Sequence, residues 1–255
     1  MHLKVTFLGT GTSQGVPVVA CPCNVCASND ANDKRLRCSV LIQSATTTIV
    51  IDCGPDFRYQ MLRAGVKKVD AILFTHEHKD HVAGLDDIRP FNYLNKQVMD
   101  IYATVGVQET IKREFAYIFS GSKYPGLPEV NLITINEAPF TVGDILVQPI
   151  LVMHHKLPVL GFRIGDFIYV TDANYIAPQS KLLMQNADVI VLNALRREPH
   201  ISHYTLTQAI EELQVLKPNK GYLTHISHQM GLHKQVSAEL PAPINLAYDG
   251  LTLEI

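Results

Sequence analysis

Imidazole and carboxylate side chains are concentrated in residues 75–81 (THEHKDH), directly after the apolar run AILF. If this segment is extended, alternate side chains share a side, so His76, His78 and Asp80 project together. A turn into a following helix would bring His81 toward the same place. Nitrogen and carboxylate ligands suit zinc, manganese or iron. The segment therefore predicts a metal site in which one short stretch of chain supplies ligands to two adjacent ions.

A second group of metal-ligating residues lies at Cys21, Cys23 and Cys26, which form a C-x-C-x-x-C pattern. Crowded cysteines in an odd total of five favour a metal over a disulfide framework. Structural zinc takes four tetrahedral ligands, so a side chain distant in sequence must complete the site. The other two, Cys38 and Cys53, lie in or beside predicted strands and are interpreted as buried core thiols.

The HxHxDH pattern after a strand resembles the motif of the metallo-β-lactamase superfamily, and the resemblance covers nearly the whole chain. It implies an α/β fold, the four-layer αββα metallo-β-lactamase sandwich with two central mixed sheets and helices on the outside. Residues 1–255 would form a single domain, with a cysteine-rich structural zinc loop at about residues 20–38.

The same resemblance implies seven ligands, each in the first motif or close to the end of a predicted strand. They divide into three for one ion (His76, His78, His154), three for the other (Asp80, His81, His225) and one bridge (Asp172). His155 competes with His154, which is preferred because a short segment ending at Gly161 and Phe162 follows it, as in the family. Asp52 resembles a strand-end Asp-x-Gly that supports the site without ligating an ion, and a simple turn role is equally consistent with it.

The cysteine cluster and the late motif LTHISHQ at residues 223–229 are similar to those of the PhnP-like phosphoribosyl 1,2-cyclic phosphate phosphodiesterases, one branch of the superfamily. By this resemblance His228 completes a structural zinc site with Cys21, Cys23 and Cys26. Such a site would tie the N-terminal loop to the C-terminal part of the chain, and its binding energy would be folding energy.

His203 lies 22 residues before His225 and matches a family histidine that contacts the substrate phosphate and can act as general acid; His200 competes with it. The resemblance thus implies a metal-dependent phosphoric diester hydrolase with His203 and Asp80 as catalytic residues. The expected cofactors are two divalent ions (Zn, Mn or Fe) that share a bridging hydroxide, and one structural Zn. The expected substrate is a small phosphodiester, which in this branch is cyclic and of phosphoribosyl type.

Three alternatives stay open. A PqqB-like protein of cofactor biosynthesis would share the cysteine cluster, but the complete ligand set favours hydrolysis. An RNA-processing nuclease of the same superfamily would carry a basic, extended arm and bind RNA in a salt-dependent way. A non-enzymatic module would bind the metals without turnover.

The elements that must position these residues follow from the hydrophobic pattern. Apolar, β-branched runs predict strands at Leu3–Leu8, Val40–Ile42, Thr48–Ile51, Ala71–Phe74, Asp144–Gln148, Phe162–Ile164, Phe167–Val170, Val189–Leu192, Gly221–Leu223 and Leu251–Ile255. Helical spacing predicts helices at about Asp56–Ala64, His81–Ile88, Val107–Tyr117, Pro178–Asn186 and Leu206–Leu216. Residues 120–130 (SGSKYPGLPEV) are predicted as a loop. Arg89, Lys123 and Tyr124 are candidate substrate contacts, although solvated surface roles are favoured for them.

Composition limits the class of partner. The 255 residues are 47% hydrophobic, which predicts a large core. Their formal net charge of -2 predicts no positive electrostatic field that would attract nucleic acid. No apolar stretch approaches the ~18 residues of a membrane span, and the N-terminus shows no export signal, so a cytoplasmic location and no membrane partner are expected. A small-molecule phosphodiester is the expected partner, and a homodimer is left open.

Overall fold

Two sheets of seven strands form the centre of the fold in the computed structural model, which describes residues 2–121, 124 and 126–255. In chain order the strands are β1 Lys4–Gly9, β2 Ser39–Gln43, β3 Thr48–Ile51, β4 Ala71–Leu73, β5 Met99–Ala103, β6 Val130–Thr134, β7 Phe140–Val142, β8 Ile145–His154, β9 Leu157–Ile164, β10 Phe167–Tyr169, β11 Val189–Asn193, β12 Lys220–Thr224, β13 Ile244–Leu246 and β14 Thr252–Glu254. The first sheet has the order β14-β1-β2-β3-β4-β5-β6 and the second β13-β12-β11-β10-β9-β8-β7. Both contain parallel and antiparallel pairs and are therefore mixed.

Helices cover the outer faces of the sheets. In chain order the α-helices are α1 Asn24–Ala27, α2 Phe57–Ala64, α3 Lys79–Val82, α4 Arg89–Asn95, α5 Val105–Glu114, α6 Pro178–Met184, α7 Leu206–Leu216 and α8 His233–Glu239. Short 3-10 turns occur at Ala31–Asp33, Leu85–Ile88 and His228–Met230. Among the described residues, no helix has both the length and the apolar character needed to cross a membrane.

Three apolar clusters join the layers. One lies between the sheets, where Phe7 of β1 and Phe162 of β9 are fully buried. A second packs the second sheet against α7 through Leu213, and a third packs the first sheet against α2 and α5 through Phe57 and Ile111. Full burial of such a side chain contributes about 1.5–3 kcal/mol. The layers confirm the predicted αββα sandwich.

Within each sheet, the strands that lead to the predicted site residues run in the same direction, so their carboxyl ends lie together. β3 is parallel to β4, and β10 is parallel to β11, which is parallel to β12. β8 runs in the same direction as β10, because each is antiparallel to β9. Since parallel strands present their carboxyl ends at one edge, the loops after β3, β4, β8, β10 and β12 can meet at one site.

The predicted helix His81–Ile88 is wrong, because α3 ends at Val82 and the chain makes a 3-10 turn at Leu85–Ile88 before α4 begins. The Gly84 N–H donates to Cys53 O at 2.8 Å, so it bonds the loop after β3 instead of a preceding helical turn. A Cβ at Gly84 would lie 2.0 Å from Gly54 O. The close approach of these two loops therefore interrupts the helix.

Several strands give no clear signal in the sequence. The hydrophobic pattern does not predict β5, β6, β7 or β13, and β6 begins at the end of the predicted loop 120–130. In β6 the burial pattern lacks fully buried positions, so the apolar contrast that marks a strand is weak. The other predicted strands and helices are present with shifted ends, except that α7 and β3 have the predicted bounds.

Candidate metal centre

Three residues at the ends of site strands have left-handed backbone conformations. The φ angles are +63° at Asp52, +55° at Asp172 and +55° at His225, which follow β3, β10 and β12. This conformation is unfavourable for residues other than glycine and concentrates at functional sites, where surrounding structure maintains it. The strain at these strand ends therefore marks the place where their side chains are brought together.

The first predicted ligand group is assembled by the loops after β4 and β8. His76, His78 and His154 present ring nitrogens that all lie within 4.8 Å of one another. Nε2 of His76 and Nδ1 of His78 are 3.1 Å apart. His76 and His154 are buried, whereas His78 is exposed, so this side of the site is open to solvent.

The second predicted group is assembled by the first turn of α3 and the loop after β12. α3 begins at Lys79, so Asp80 and His81 lie in a helical turn, and the expectation that Asp80 is in an extended segment is wrong. Nε2 of His81 is 3.2 Å from Oδ2 of Asp80. Nε2 of His225 is 3.7 Å from the same oxygen, and the three ligand atoms form one cluster.

Asp172 lies between the two groups. Its Oδ2 is 3.2 Å from Nε2 of His81, and its Oδ1 is 3.1 Å from Nε2 of His225. Asp172 also clusters with His76 of the first group. The hydroxyl of Thr171 donates to Oδ2 at 2.7 Å and orients the carboxylate. This is the position that the resemblance implies for a bridging acid.

Unpaired buried nitrogens show that the donor set suits cations. Nε2 of His81 and both ring nitrogens of His225 are buried without a hydrogen-bond partner among the described residues. Buried polar atoms are normally paired, and each exception needs an explanation. Imidazole nitrogens and carboxylate oxygens that converge on one place are the ligands that zinc, manganese and iron accept. The residues present therefore fit a pair of divalent ions.

Hydrogen bonds on the far side of three of the imidazoles fix their orientation. Nδ1 of His81 is 2.7 Å from Oδ2 of Asp52. The Thr75 hydroxyl lies 2.9 Å from the same carboxylate oxygen and 2.9 Å from Nδ1 of His76. Nδ1 of His154 donates to Ser202 O at 2.8 Å. In each ring the opposite nitrogen is left to face the site, which is how proteins orient metal-ligating histidines.

Charges within the site shift the pKa values of its members. Burial opposes a charge on His81, but Asp80, Asp52 and Asp172 outweigh it and raise the pKa of His81 well above its ordinary value. Burial lowers the pKa of His76 well below its ordinary value, and the neighbouring His81 adds to this. The negative potential of these three carboxylates thus attracts positive charge to the site around His81.

His203 lies beside the centre, and its predicted competitor lies farther out. Nδ1 of His203 is 3.6 Å from Oδ1 of Asp172, and the ring is stacked on that of His225 with 4.8 Å between centroids. The His200 ring contacts His203 at 5.0 Å and is more exposed. Burial, followed by the charge of His225, lowers the pKa of His203 to about 3. His155, the competitor of His154, is exposed and outside the metal-ligating clusters of the described chain.

The cysteine cluster meets His228 at a separate place. The sulfurs of Cys21, Cys23 and Cys26 and a ring nitrogen of His228 lie within 4.8 Å of one another. Nδ1 of His228 is 3.3 Å from Sγ of Cys21 and 3.4 Å from Sγ of Cys23. Tetrahedral zinc with Zn–S of about 2.3 Å sets its ligand atoms about 3.5–3.8 Å apart, so the four side chains fit one zinc ion. The backbone N–H of Cys26, and then His228, lower the pKa of Cys23 to about 6, which favours its thiolate.

Other predicted side chains lie outside the metal clusters. Cys38 and Cys53 are buried, and burial raises the pKa of Cys38 to about 12, as expected for inert core thiols. Arg89 pairs with Asp86 on the surface, and Tyr124 is exposed. Lys123 lies outside the described residues.

Two orienting residues were missed by sequence reasoning. Thr75 connects Asp52 to His76, and its position directly before the HxHxDH motif is the only sequence signal for that role. Asn174 bonds two loops of the site through its side-chain amide. Its place two residues after Asp172 could have suggested a role, but its partners are backbone groups, which sequence patterns do not reveal.

Comparison with known proteins agrees with the fold. Residues 47–226 match the family model for the beta-lactamase superfamily domain. The chain is 38% identical to a diphosphatase from the PhnP family in a crystal structure that superposes with a TM-score of 0.94, covering 100% of this chain and 98% of that one.

Two curated relatives are longer proteins. The octanoyltransferase of Porphyromonas gingivalis is 41% identical over 252 residues, which are 98% of this chain and 51% of that protein. The ribonuclease Z of Nostoc sp. is 28% identical over 168 residues, 64% of this chain and 47% of that protein. The chain thus spans about half the length of each of these relatives.

Proposed function

Because the chain belongs to the metallo-β-lactamase superfamily and is close to the PhnP family, we propose that this hydrolase is a dinuclear phosphodiesterase acting on a small phosphodiester. The observation that carries the proposal is the position of Asp172, which clusters with His76 of the first ligand group while its carboxylate oxygens face His81 and His225 of the second. A carboxylate shared in this way suits two adjacent cations better than one. We further propose that the substrate is cyclic and of phosphoribosyl type.

Seven side chains would hold the two active-site ions, and four would hold a structural zinc. The first set is His76, His78, His154, Asp80, His81, His225 and Asp172, and the second is Cys21, Cys23, Cys26 and His228. When bound, the active-site ions would lower the pKa of water toward roughly 7 and neutralise phosphate charge. The candidate ions are zinc, manganese and iron, because the donors suit all three.

Two side chains of this site are proposed to act on the reacting atoms. Asp80 is more exposed than Asp172, with a side chain 13% accessible against 3%, so its carboxylate can accept a hydrogen bond from the attacking water. His203 would protonate the leaving oxygen. Burial favours its neutral form, and an anionic phosphate beside the ring would favour the protonated form that a general acid needs.

A diphosphate is the second candidate substrate. The specific observation is the 38% identity to a PhnP-family diphosphatase over the whole chain. Cleavage of a diphosphate needs the same ligands and the same proton donor, since both reactions displace an oxygen at phosphorus. Discrimination between the two classes therefore requires a substrate panel.

RNA cleavage, a PqqB-like function and a silent metal-binding module have less support. The net charge of -2 does not favour a polyanionic RNA substrate, although a ribonuclease Z is among the relatives. A PqqB-like function or a silent module has less support, because the complete predicted ligand set is brought together with His203 beside it.

The proposal is tested by hydrolysis of bis(p-nitrophenyl) phosphate with Mn²⁺ or Zn²⁺ in wild type and Asp80→Ala. We expect the variant to lose at least about 100-fold in rate, because it lacks both a ligand and the water-orienting carboxylate. Asp144→Ala is the matched control, since Asp144 is an exposed carboxylate on the loop before β8. Equal rates in wild type and Asp80→Ala contradict the proposal. A panel of cyclic phosphodiesters, diphosphate esters and short RNA then assigns the substrate class.

A further inference from the structure

Asn174 joins three loops that carry predicted site residues. Its Oδ1 accepts the His155 backbone N–H at 2.7 Å, and its Nδ2 donates to Ile201 O at 3.1 Å. Its own backbone N–H donates to Met153 O at 2.9 Å. The residue therefore connects the chain after Asp172 to the β8–β9 turn and to the loop before His203.

The two side-chain partners fix which way the amide points. A backbone N–H can only donate and a carbonyl can only accept, so Oδ1 must face His155 and Nδ2 must face Ile201. A carboxylate keeps the first bond and loses the second. Asn174→Asp would therefore remove the bond to the 201–203 loop while leaving the β8–β9 turn attached.

One attached segment has an unfavourable backbone conformation, and the other bonds a candidate metal ligand. His155 has a φ of +56°, which is unfavourable for a residue other than glycine, and its N–H is held by Asn174. In the other loop, Ser202 O accepts the Nδ1–H of His154, and the His154 and His203 rings are 4.6 Å apart. Asn174 bonds the backbone of His155 and Ile201, which adjoin His154 and Ser202. The distance between the rings of His154 and His203 therefore depends on the segments that Asn174 holds.

We infer that Asn174 is a positioning residue that sets His203 against the metal centre; the inference rests on the proposed function. Asn174 lies outside the metal clusters and acts through the loop of residues 201–203. Its loss is expected to impair proton donation to the leaving oxygen more than metal binding.

The test compares wild type, Asn174→Asp and the control Asn131→Asp, which changes an exposed amide bonded to Asp100. Turnover is measured on 4-nitrophenyl and phenyl esters of one phosphodiester, because poor leaving groups depend more on a general acid. We expect Asn174→Asp to reduce kcat for the phenyl ester about tenfold more than for the 4-nitrophenyl ester, with unchanged metal content. The control should match wild type.

Hydrogen exchange of residues 201–205 supplies a readout independent of activity. Faster exchange in Asn174→Asp than in wild type supports the inference, because the loop is then held less tightly. Unchanged exchange, or an equal loss on both esters accompanied by loss of metal, overturns it. If wild type cleaves no phosphodiester, the proposed function fails, and the exchange measurement alone decides whether Asn174 positions the loop.

Discussion

Oδ2 of Asp52 lies 2.7 Å from Nδ1 of His81, on the opposite side of the imidazole from Asp80 and Asp172. Because Nδ1 is occupied in this way, Nε2 is directed toward the two site carboxylates. Burial raises the pKa of Asp52, while His81 and the Thr75 hydrogen bonds oppose that rise. Asp52 is therefore expected to orient a metal ligand rather than to bind metal.

Asp52→Ala is expected to weaken binding of the active-site metals by about 10–100-fold, because the His81 ring loses its partner. Asp52→Asn should have a smaller effect, since its amide oxygen can still accept the Nδ1–H. Metal binding to chelator-treated protein, measured by calorimetry on folded samples, provides the check. Wild-type affinity in Asp52→Ala would show that the contact does not serve the metal site.

Gly84→Ala should destabilise the fold next to the site. The new Cβ would lie 2.0 Å from Gly54 O, so the loops after β3 and α3 would have to separate. We expect the free energy of unfolding to decrease by about 3 kcal/mol. Gly106→Ala is the matched control, because no atom of the described residues lies within 4 Å of the added Cβ, and α5 gains up to about 1 kcal/mol of stability. Denaturant unfolding measures both. Similar stabilities in the two variants would mean that the close approach is not required.

Comparison of His203→Ala with His200→Ala should show which of the two histidines is the proton donor. Its loss is expected to reduce kcat by about 10²–10⁴-fold, with the larger effect on poor leaving groups. His200→Ala should change kcat by less than about tenfold, because His200 contacts His203 and not the metal-ligand carboxylates. Steady-state kinetics on matched aryl esters gives the comparison. A larger loss in His200→Ala would reverse the assignment.

His228→Ala tests the structural zinc. The variant should lose one zinc equivalent and melt on the order of 10 °C lower, because zinc binding there contributes to folding. His2→Ala, which removes an exposed histidine paired with Glu254, is the control. Elemental analysis and thermal unfolding are the measurements. An unchanged zinc content would remove His228 from the site.

The sequence was most informative where ligands adjoin buried strands. The run AILF-THEHKDH carries both an apolar strand and a dense set of donors, so the place of His76 and His78 could be predicted. The break at Gly84 could not, because it depends on a contact with Gly54 that is distant in sequence. The hydrogen bonds of Asn174 could not be predicted either, because their partners are backbone groups.

The choice between His154 and His155 as a metal ligand also depends on structure that the sequence does not reveal. Adjacent histidines at the end of a strand offer similar chemistry, and resemblance rather than periodicity favoured His154. The structure separates them through backbone geometry: the left-handed turn begins at His155, which turns its side chain to solvent, while His154 remains in β8 and faces the site. Such a distinction requires the register of the hairpin, which one sequence does not supply.

The central claim is that the cluster around Asp172 holds two ions that support phosphodiester hydrolysis. Its most direct test is the titration with Mn²⁺ of protein whose active-site metals have been removed and whose structural zinc is retained, while the initial rate of bis(p-nitrophenyl) phosphate hydrolysis is followed. We predict that the rate rises from near zero to a plateau at two added equivalents per chain, and that Asp172→Ala shows no such rise. Full activity without metal, or a plateau in Asp172→Ala equal to that of wild type, would contradict the claim.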